Sequence, residues 1–295
     1  MSRLHNYKPL ILLFFFSFCF FAGGQIARLF PPASVRTDDK SPSGNAASSG
    51  TVPTASTSGN PLSTILPAAE NWGLSFQEEG KVPVGNASFD ELQQYHAYYA
   101  QKTDKKVIYL TFDCGYENGY TEQILDPLKN HNAKACFFVT QTYIRDNAEI
   151  VKRMKEEGHQ VGNHTVTHPS MPEISVEKQI KELRDCEEYM KEATGYDMDL
   201  YFRPPSGEYS EQLLQLASDL GYRTIFWSVA YLDYDVNKQP GASYVIDHFK
   251  KYHHNGAFVL MHNVSSSNAE ALDTVLTDLE TRGYRFPSLD EMFTK

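Results

Sequence analysis

Five apolar segments of this chain stop on side chains that can do acid–base or ligand chemistry. VIYLTF, residues 107–112, runs into Asp113 and Cys114. Residues 159–163 run into HTVTH (164–168), residues 200–202 into Arg203 and two prolines, residues 223–226 into Trp227-Ser228, and AFVLM (257–261) into His262. A carboxylate at a strand end serves as a general base, a metal ligand or a turn cap. His164 and His168, four apart, can share one metal on a tight turn or helix face. In a chain with ten histidines such a pair arises readily by chance, so its place directly after an apolar strand carries the weight. Neutral imidazoles suit zinc, cobalt or nickel better than magnesium or calcium. Cys114 is either a small buried apolar group or a thiolate ligand. His262 is either a general acid, since imidazole titrates near neutral pH, or a core histidine with a satisfied hydrogen bond. Arg203 either orients a carboxylate in a cleft or pairs at the surface. Tyr116, Tyr120, Tyr201, Tyr209, Tyr231 and Tyr234 crowd the same loops, where aromatic faces suit sugar rings. His253-His254 reads as a solvated helix end without function.

Bringing five strand ends to one edge requires a particular scaffold. Apolar, β-prone runs at 107–112, 135–139, 159–163, 200–203, 223–228, 257–262 and 284–286 alternate with helical patterns at 121–131, 148–157, 176–194, 210–220, 244–253 and 268–281. Gly158, Gly195, Gly221 and Gly283 lie just past helix ends. Such alternation predicts an α/β fold, a mostly parallel sheet with helices outside. Seven or so units suggest a closed or nearly closed barrel, whose chemistry sits at the C-terminal strand ends. Residues 89–99 read as one further short helix.

The N-terminal part is of another kind. Arg3, His5 and Lys8 precede an uncharged run, residues 9–27, which is an export signal long enough to span a bilayer. No small-x-small cleavage site follows, and Arg28 bounds the run, which favours a signal-anchor over a cleaved signal peptide. Residues 31–70 are dominated by Ser, Thr, Pro, Ala, Gly and Asn, a composition that cannot bury a core and reads as a flexible linker. The organisation predicted is therefore 1–30 membrane segment, 31–70 linker and 71–295 catalytic domain. The rest of the chain would lie in the cell envelope on the extracytoplasmic face, membrane-anchored or secreted. With 27 Lys and Arg against 37 Asp and Glu, the net charge of −10 argues against a nucleic-acid partner. Four widely spaced cysteines, one of them in the apolar run, form no disulfide framework or zinc ribbon.

TFDCG, HTVTH, RPPSG, WSVAYLDY and LMH stand in the order of five motifs of the polysaccharide deacetylases, carbohydrate esterase family 4. Residues 105–290 resemble that family. TFDCGYENGYT, the preceding NWGLSF and the later VNKQP resemble the branch of peptidoglycan N-deacetylases that form muramic δ-lactam in spore formers. The resemblance implies a distorted (β/α)7 barrel and a divalent metal: zinc, with cobalt or nickel as alternatives. It implies Asp113 as base, His164 and His168 as metal ligands, Arg203 as holder of the base, the Ser206 N–H as oxyanion donor and His262 as acid. The implied partners are a peptidoglycan glycan strand and, through the N-terminal segment, the membrane. The implied reaction removes acetate from peptide-free N-acetylmuramic acid, whose freed amine can close to the δ-lactam.

The pattern departs from the family twice. Cys114 stands where most members carry a second Asp as third metal ligand, which predicts weaker metal binding or a softer metal preference. Ala230 stands where an Asp that orients the acid is expected, with Asp233 the nearest substitute. A deacetylase of another N- or O-acetylated glycan, or a glycan-binding module without activity, are the competing expectations. Such a module has no need of an acid and a base.

Overall fold

The computed structural model describes residues 69–76 and 78–294. The predicted membrane segment and nearly all of the predicted linker lie outside the described residues. No helix among the described residues is long and apolar enough to cross a membrane.

Seven strands form one sheet: β1 (Ala97–Tyr98), β2 (Ile108–Cys114), β3 (Ala135–Val139), β4 (Gln160–Asn163), β5 (Tyr201–Phe202), β6 (Arg223–Ile225) and β7 (Ala257–His262). Their order is β7-β2-β3-β4-β5-β6-β1, and every neighbouring pair is parallel. Helices α1 (Phe89–Gln93), α2 (Thr121–Asn130), α3 (Gln141–Asp146), α4 (Ala148–Glu156), α5 (Val176–Thr194), α6 (Glu211–Asp219), α7 (Ala242–Tyr252) and α8 (Ser266–Thr281) occupy the connections and the C-terminal part. Two isolated bridges, Val229 to Val259 and Ala100 to Ala257, tie residues beyond β6 and β1 to the opposite edge strand β7. The sheet is thus curled into a half-barrel, as a parallel α/β sheet with right-twisted strands tends to be.

The sheet is buried on both faces, which explains its unbroken apolar runs. Along β2, Ile108, Leu110, Phe112 and Cys114 join the large core under α2 and α8. The intervening Val107 and Tyr109 pack inside the curl with Cys136, Phe138, Tyr201, Ile225 and Phe258. Thr111 and Asp113 continue that inner row, because strand side chains alternate. In β4, Gly162 allows the Phe138 ring its place, since a Cβ there would lie 2.8 Å from it.

Two expected elements differ. Residues 89–99 are not one helix: α1 ends at Gln93, His96 turns with φ +51°, and β1 follows. Pairing of Ala97 with Thr224, and burial of Ala97, Tyr99 and Ala100 against Trp72, override the local helical pattern. Residues 284–286 form no strand, only a bridge between Arg285 and Val107. The seventh strand therefore precedes the first motif instead of following the last.

The segment around Trp72 clasps the Arg203 loop. Its N–H donates to Gly207 O and its Nε1–H to Trp227 O, each at 2.9 Å. Glu70–Asn71 pairs antiparallel with Glu208–Tyr209.

Candidate active site

Asp113 and His262 are register partners on adjacent parallel strands, so their side chains start one strand spacing apart. Around them the C-terminal edges of β2, β4, β5 and β7 converge. The structure brings together Asp113, His164, Arg203 and His262, with His168 beside His164.

Arg203 is fully buried. Its Nη1 donates to Asp113 Oδ1 at 2.7 Å, its Nη2 to Thr111 Oγ1 at 2.8 Å, and its Nε to Ile225 O at 2.9 Å. The guanidinium lies 4.3 Å from the Phe138 ring centre. Asp113 is therefore not a turn cap. Burial pushes its pKa up, but Arg203 first, then His164 and His262, outweigh this and leave it below the usual carboxylate value. An ionised, oriented carboxylate with little access to water is what a general base needs.

On the other side, His262 Nδ1 lies 2.7 Å from Asp233 Oδ1, and the His262 backbone N–H donates to Asp233 Oδ2 at 2.8 Å. Asp233 is buried, and Asn268 Nδ2 completes its shell at 2.7 Å. Burial lowers the His262 pKa, but Asp233 and then Asp113 raise it, and the net shift is upward. The Asp233 contact assigns the proton to Nδ1 and leaves Nε2 as the group that can pass a proton onward. Asp233 thus supplies the carboxylate partner of His262 that position 230 lacks.

The HTVTH turn uses unusual backbone. Thr165 and His168 have φ of +73° and +56°, a conformation that costs on the order of 1–3 kcal/mol at a non-glycine residue and persists where its surroundings enforce it. His164 Nδ1 bonds Arg203 O at 2.8 Å, so Nε2 keeps its lone pair; it lies 3.7 Å from Asp113 Oδ2. The His164 and His168 rings sit 4.8 Å apart at 74°. Burial pushes the His164 pKa down to about 4. His168 is exposed along one side, yet the protein crowding its ring lowers its pKa as well, against the pull of Asp113. Both rings are neutral near pH 7, the form that ligates. Two neutral imidazoles suit a borderline-soft divalent cation; among the described residues no third His, Cys, Asp or Glu closes with them into a three-ligand group.

Cys114 does not supply a third ligand. It follows Asp113 on the strand and so faces the other way, into the core with Phe112, Ile124 and Val139. Burial, Asp113 and Glu117 raise its pKa well above that of an ordinary thiol, so it stays protonated. Ser206 is exposed three residues past Arg203 with φ +56°, and the next residue, Gly207, packs where a Cβ would meet the Trp227 ring at 2.7 Å. Of the tyrosines, Tyr201 and Tyr209 are core residues, while Tyr116 and Tyr234 are about half exposed, and the Tyr234 ring is 5.7 Å from His262. His254 is not solvated: it is buried, with Nε2 2.9 Å from Ser228 Oγ.

Sequence reasoning missed Thr111, Asn163, Glu182 and Asn268, the polar side chains that hold the site from behind. Glu182 and Asn268 carry no local signal, since each meets its partners through the folded chain. Thr111, two before Asp113 on the same strand face, and Asn163, whose Oδ1 accepts from Thr165 N–H two residues on, lay within reach.

Residues 100–225 match the family model described as polysaccharide deacetylase. The chain is 44% identical over 227 residues to the peptidoglycan-N-acetylmuramic acid deacetylase PdaA of Bacillus subtilis, covering 76% of this chain and 86% of that one. It is 37% identical over 192 residues to the peptidoglycan-N-acetylglucosamine deacetylase PgdA of Listeria monocytogenes, covering 65% of this chain and 40% of that one. The solved structure of B. subtilis PdaA, a family 4 carbohydrate esterase, superimposes with a TM-score of 0.73 at 42% identity, covering 76% and 97% of the two chains. A family 4 pseudoenzyme from Bacillus anthracis superimposes with a TM-score of 0.62 at 32% identity, covering 67% and 69%.

Proposed function

This chain belongs to the polysaccharide deacetylase family, and from that premise we propose that it removes the acetyl group from N-acetylmuramic acid in peptidoglycan glycan strands whose stem peptide is already gone. The observation that carries the reading is the pairing of an Arg203-held Asp113 with an Asp233-held His262 on adjacent strand ends. Muramic acid is preferred over glucosamine because of the greater likeness to PdaA, in identity and in the share of the relative covered.

An acetamide is a poor electrophile with a poor leaving group, so both ends of the reaction need help. Asp113, kept ionised by Arg203, takes the proton from the attacking water. The Ser206 N–H stabilises the developing oxyanion. His262, kept protonated by Asp233, gives its proton to the departing nitrogen. A zinc, cobalt or nickel ion held by His164 and His168 would polarise the acetyl carbonyl and acidify water. Acetate leaves, and the free amine of a peptide-free muramic residue can close on its own lactyl carboxylate, giving the δ-lactam of spore cortex. In this reading the scaffold is a distorted (β/α)7 barrel, residues 71–295 are the catalytic domain, 31–70 the tether and 1–30 the signal-anchor. The domain then works on the extracytoplasmic face.

Acetate release from purified glycan strands, with and without stem peptides and with and without chelator, tests this. Release confined to peptide-free strands and abolished by chelator supports it. Release only from glucosamine residues, or none with any metal, overturns it.

A further inference from the structure

The backbone N–H groups of residues 165–168 all end on side-chain oxygens. Thr165 N–H donates to Asn163 Oδ1 at 2.8 Å, and His168 N–H to Thr165 Oγ1 at 3.0 Å. Val166 N–H and Thr167 N–H both donate to one oxygen of Glu182, Oε2, at 2.8 Å each. Thr167 Oγ1 donates to the other, Oε1, at 2.8 Å. One carboxylate from α5 thus takes three hydrogen bonds from the two central residues between the histidines. Glu182 touches neither imidazole. Nothing in the proposed chemistry uses it.

The turn has two left-handed non-glycine residues and no regular secondary structure of its own. Its shape is imposed by what it bonds to. His164 is fixed independently, through Val139 O to its N–H and Arg203 O to its Nδ1. The His168 ring bonds to the backbone of its own residue, which moves with the turn, and the side chain is exposed. Its position depends on the path of the backbone through 166 and 167. A carboxylate oxygen that accepts from two successive N–H groups holds them in short, directional contacts.

We propose that Glu182 is a positioning residue for the metal site: it holds the 165–168 turn so that His168 meets the same ion as His164. The inference rests on the reading of His164 and His168 as metal ligands. Supporting contacts of this kind typically change metal affinity by about 10- to 100-fold when removed. The loss falls on affinity, because the neighbouring ligand stays where it is.

Cobalt(II) titration of the purified full-length chain, followed by its visible spectrum, tests the assignment, with thermal unfolding of the metal-free protein as control. Glu182→Ala is expected to weaken cobalt binding by about 10- to 100-fold. Glu182→Gln keeps a carbonyl oxygen able to accept from 166 and 167, and is expected to recover most of that loss. Thr167→Val removes a single bond and leaves the carboxylate, so it gives a smaller weakening in a protein that keeps its fold. Unchanged affinity in Glu182→Ala, or in Thr167→Val should the first variant fail to fold, overturns the proposal even if stability drops. If wild-type protein binds no cobalt, or His164→Ala binds as well as wild type, the two-histidine reading itself falls and takes this inference with it.

Discussion

At the end of β7, the His262 ring meets the carboxylate of Asp233 at 2.7 Å; at the end of β4, the His164 ring meets a neutral backbone carbonyl, Arg203 O, at 2.8 Å. Asp113 stands between them and raises both pKa values. Yet His262 ends above the ordinary imidazole value and His164 at about 4. Both rings lose hydration, so the difference lies in the partner of Nδ1 and in His168, which pushes His164 further down. A full negative charge overcomes desolvation, and a carbonyl dipole does not. Two identical side chains flanking one carboxylate are thereby assigned opposite duties, one to carry a proton and one to offer a lone pair.

Removing the group common to both sides should have the largest effect. Asp113→Asn is expected to lower deacetylation by about 10²- to 10⁴-fold, the usual worth of a general base, and to leave Arg203 buried without its counter-ion. Breaking a buried pair in this way costs about 3–5 kcal/mol, so denaturant unfolding should report the loss alongside acetate release. An Asp113→Asn protein that keeps full activity would remove the base from the reading.

Breaking only the acid side comes next. Asp233→Asn removes the charge that raises the His262 pKa. The rate should fall by about 10²-fold at neutral pH, and the alkaline limb of the pH–rate profile should move to lower pH. An alkaline limb that stays in place would mean that Asp233 does not set the charge of His262.

The same comparison predicts opposite signs in stability. His164, and likewise the buried His159, has a folded pKa of about 4 against the usual 6.5. The unfolded chain takes up these protons first as pH falls, so stability is lost between about 6.5 and 4, by up to about 3 kcal/mol per histidine. His262 acts the other way: its contribution is present below about 6.5 and is lost as pH rises through its raised folded pKa. Urea unfolding of metal-free protein from pH 4 to 9 should show both slopes, with the alkaline one absent in Asp233→Asn. A profile flat between pH 4 and 6.5 would contradict the neutral state of His164.

The smallest effect is expected at Cys114. Cys114→Ala should leave metal affinity within about twofold and cost about 1 kcal/mol of stability, the scale of a small core truncation. A tenfold change in affinity would return its sulfur to the site.

That residue marks how far the sequence was legible. The five strand ends, the parallel α/β pattern and the groups that gather at one edge were all readable, because they follow from apolar runs that stop on polar residues. The alternation of a strand was also sufficient to send Cys114 to the face opposite Asp113. Comparison with family members that carry Asp there pointed the other way, toward a ligand. The misread elements, 89–99 and 284–286, are short segments whose state is decided by a neighbour: pairing with Thr224 makes a strand of Ala97–Tyr98, and residues 284–286 have only the single bridge to Val107.

By itself the sequence determined which chemistry was available, since residue type and strand period are local properties. The tertiary structure alone decided who holds whom. Arg203 reaches Asp113 across 90 residues, Asp233 reaches His262 across 29, and Glu182 reaches the histidine turn across 15 or 16. Such contacts depend on sheet curl and helix placement, which no local pattern encodes, and they set the charge on each catalytic candidate through burial and the nature of its nearest partner.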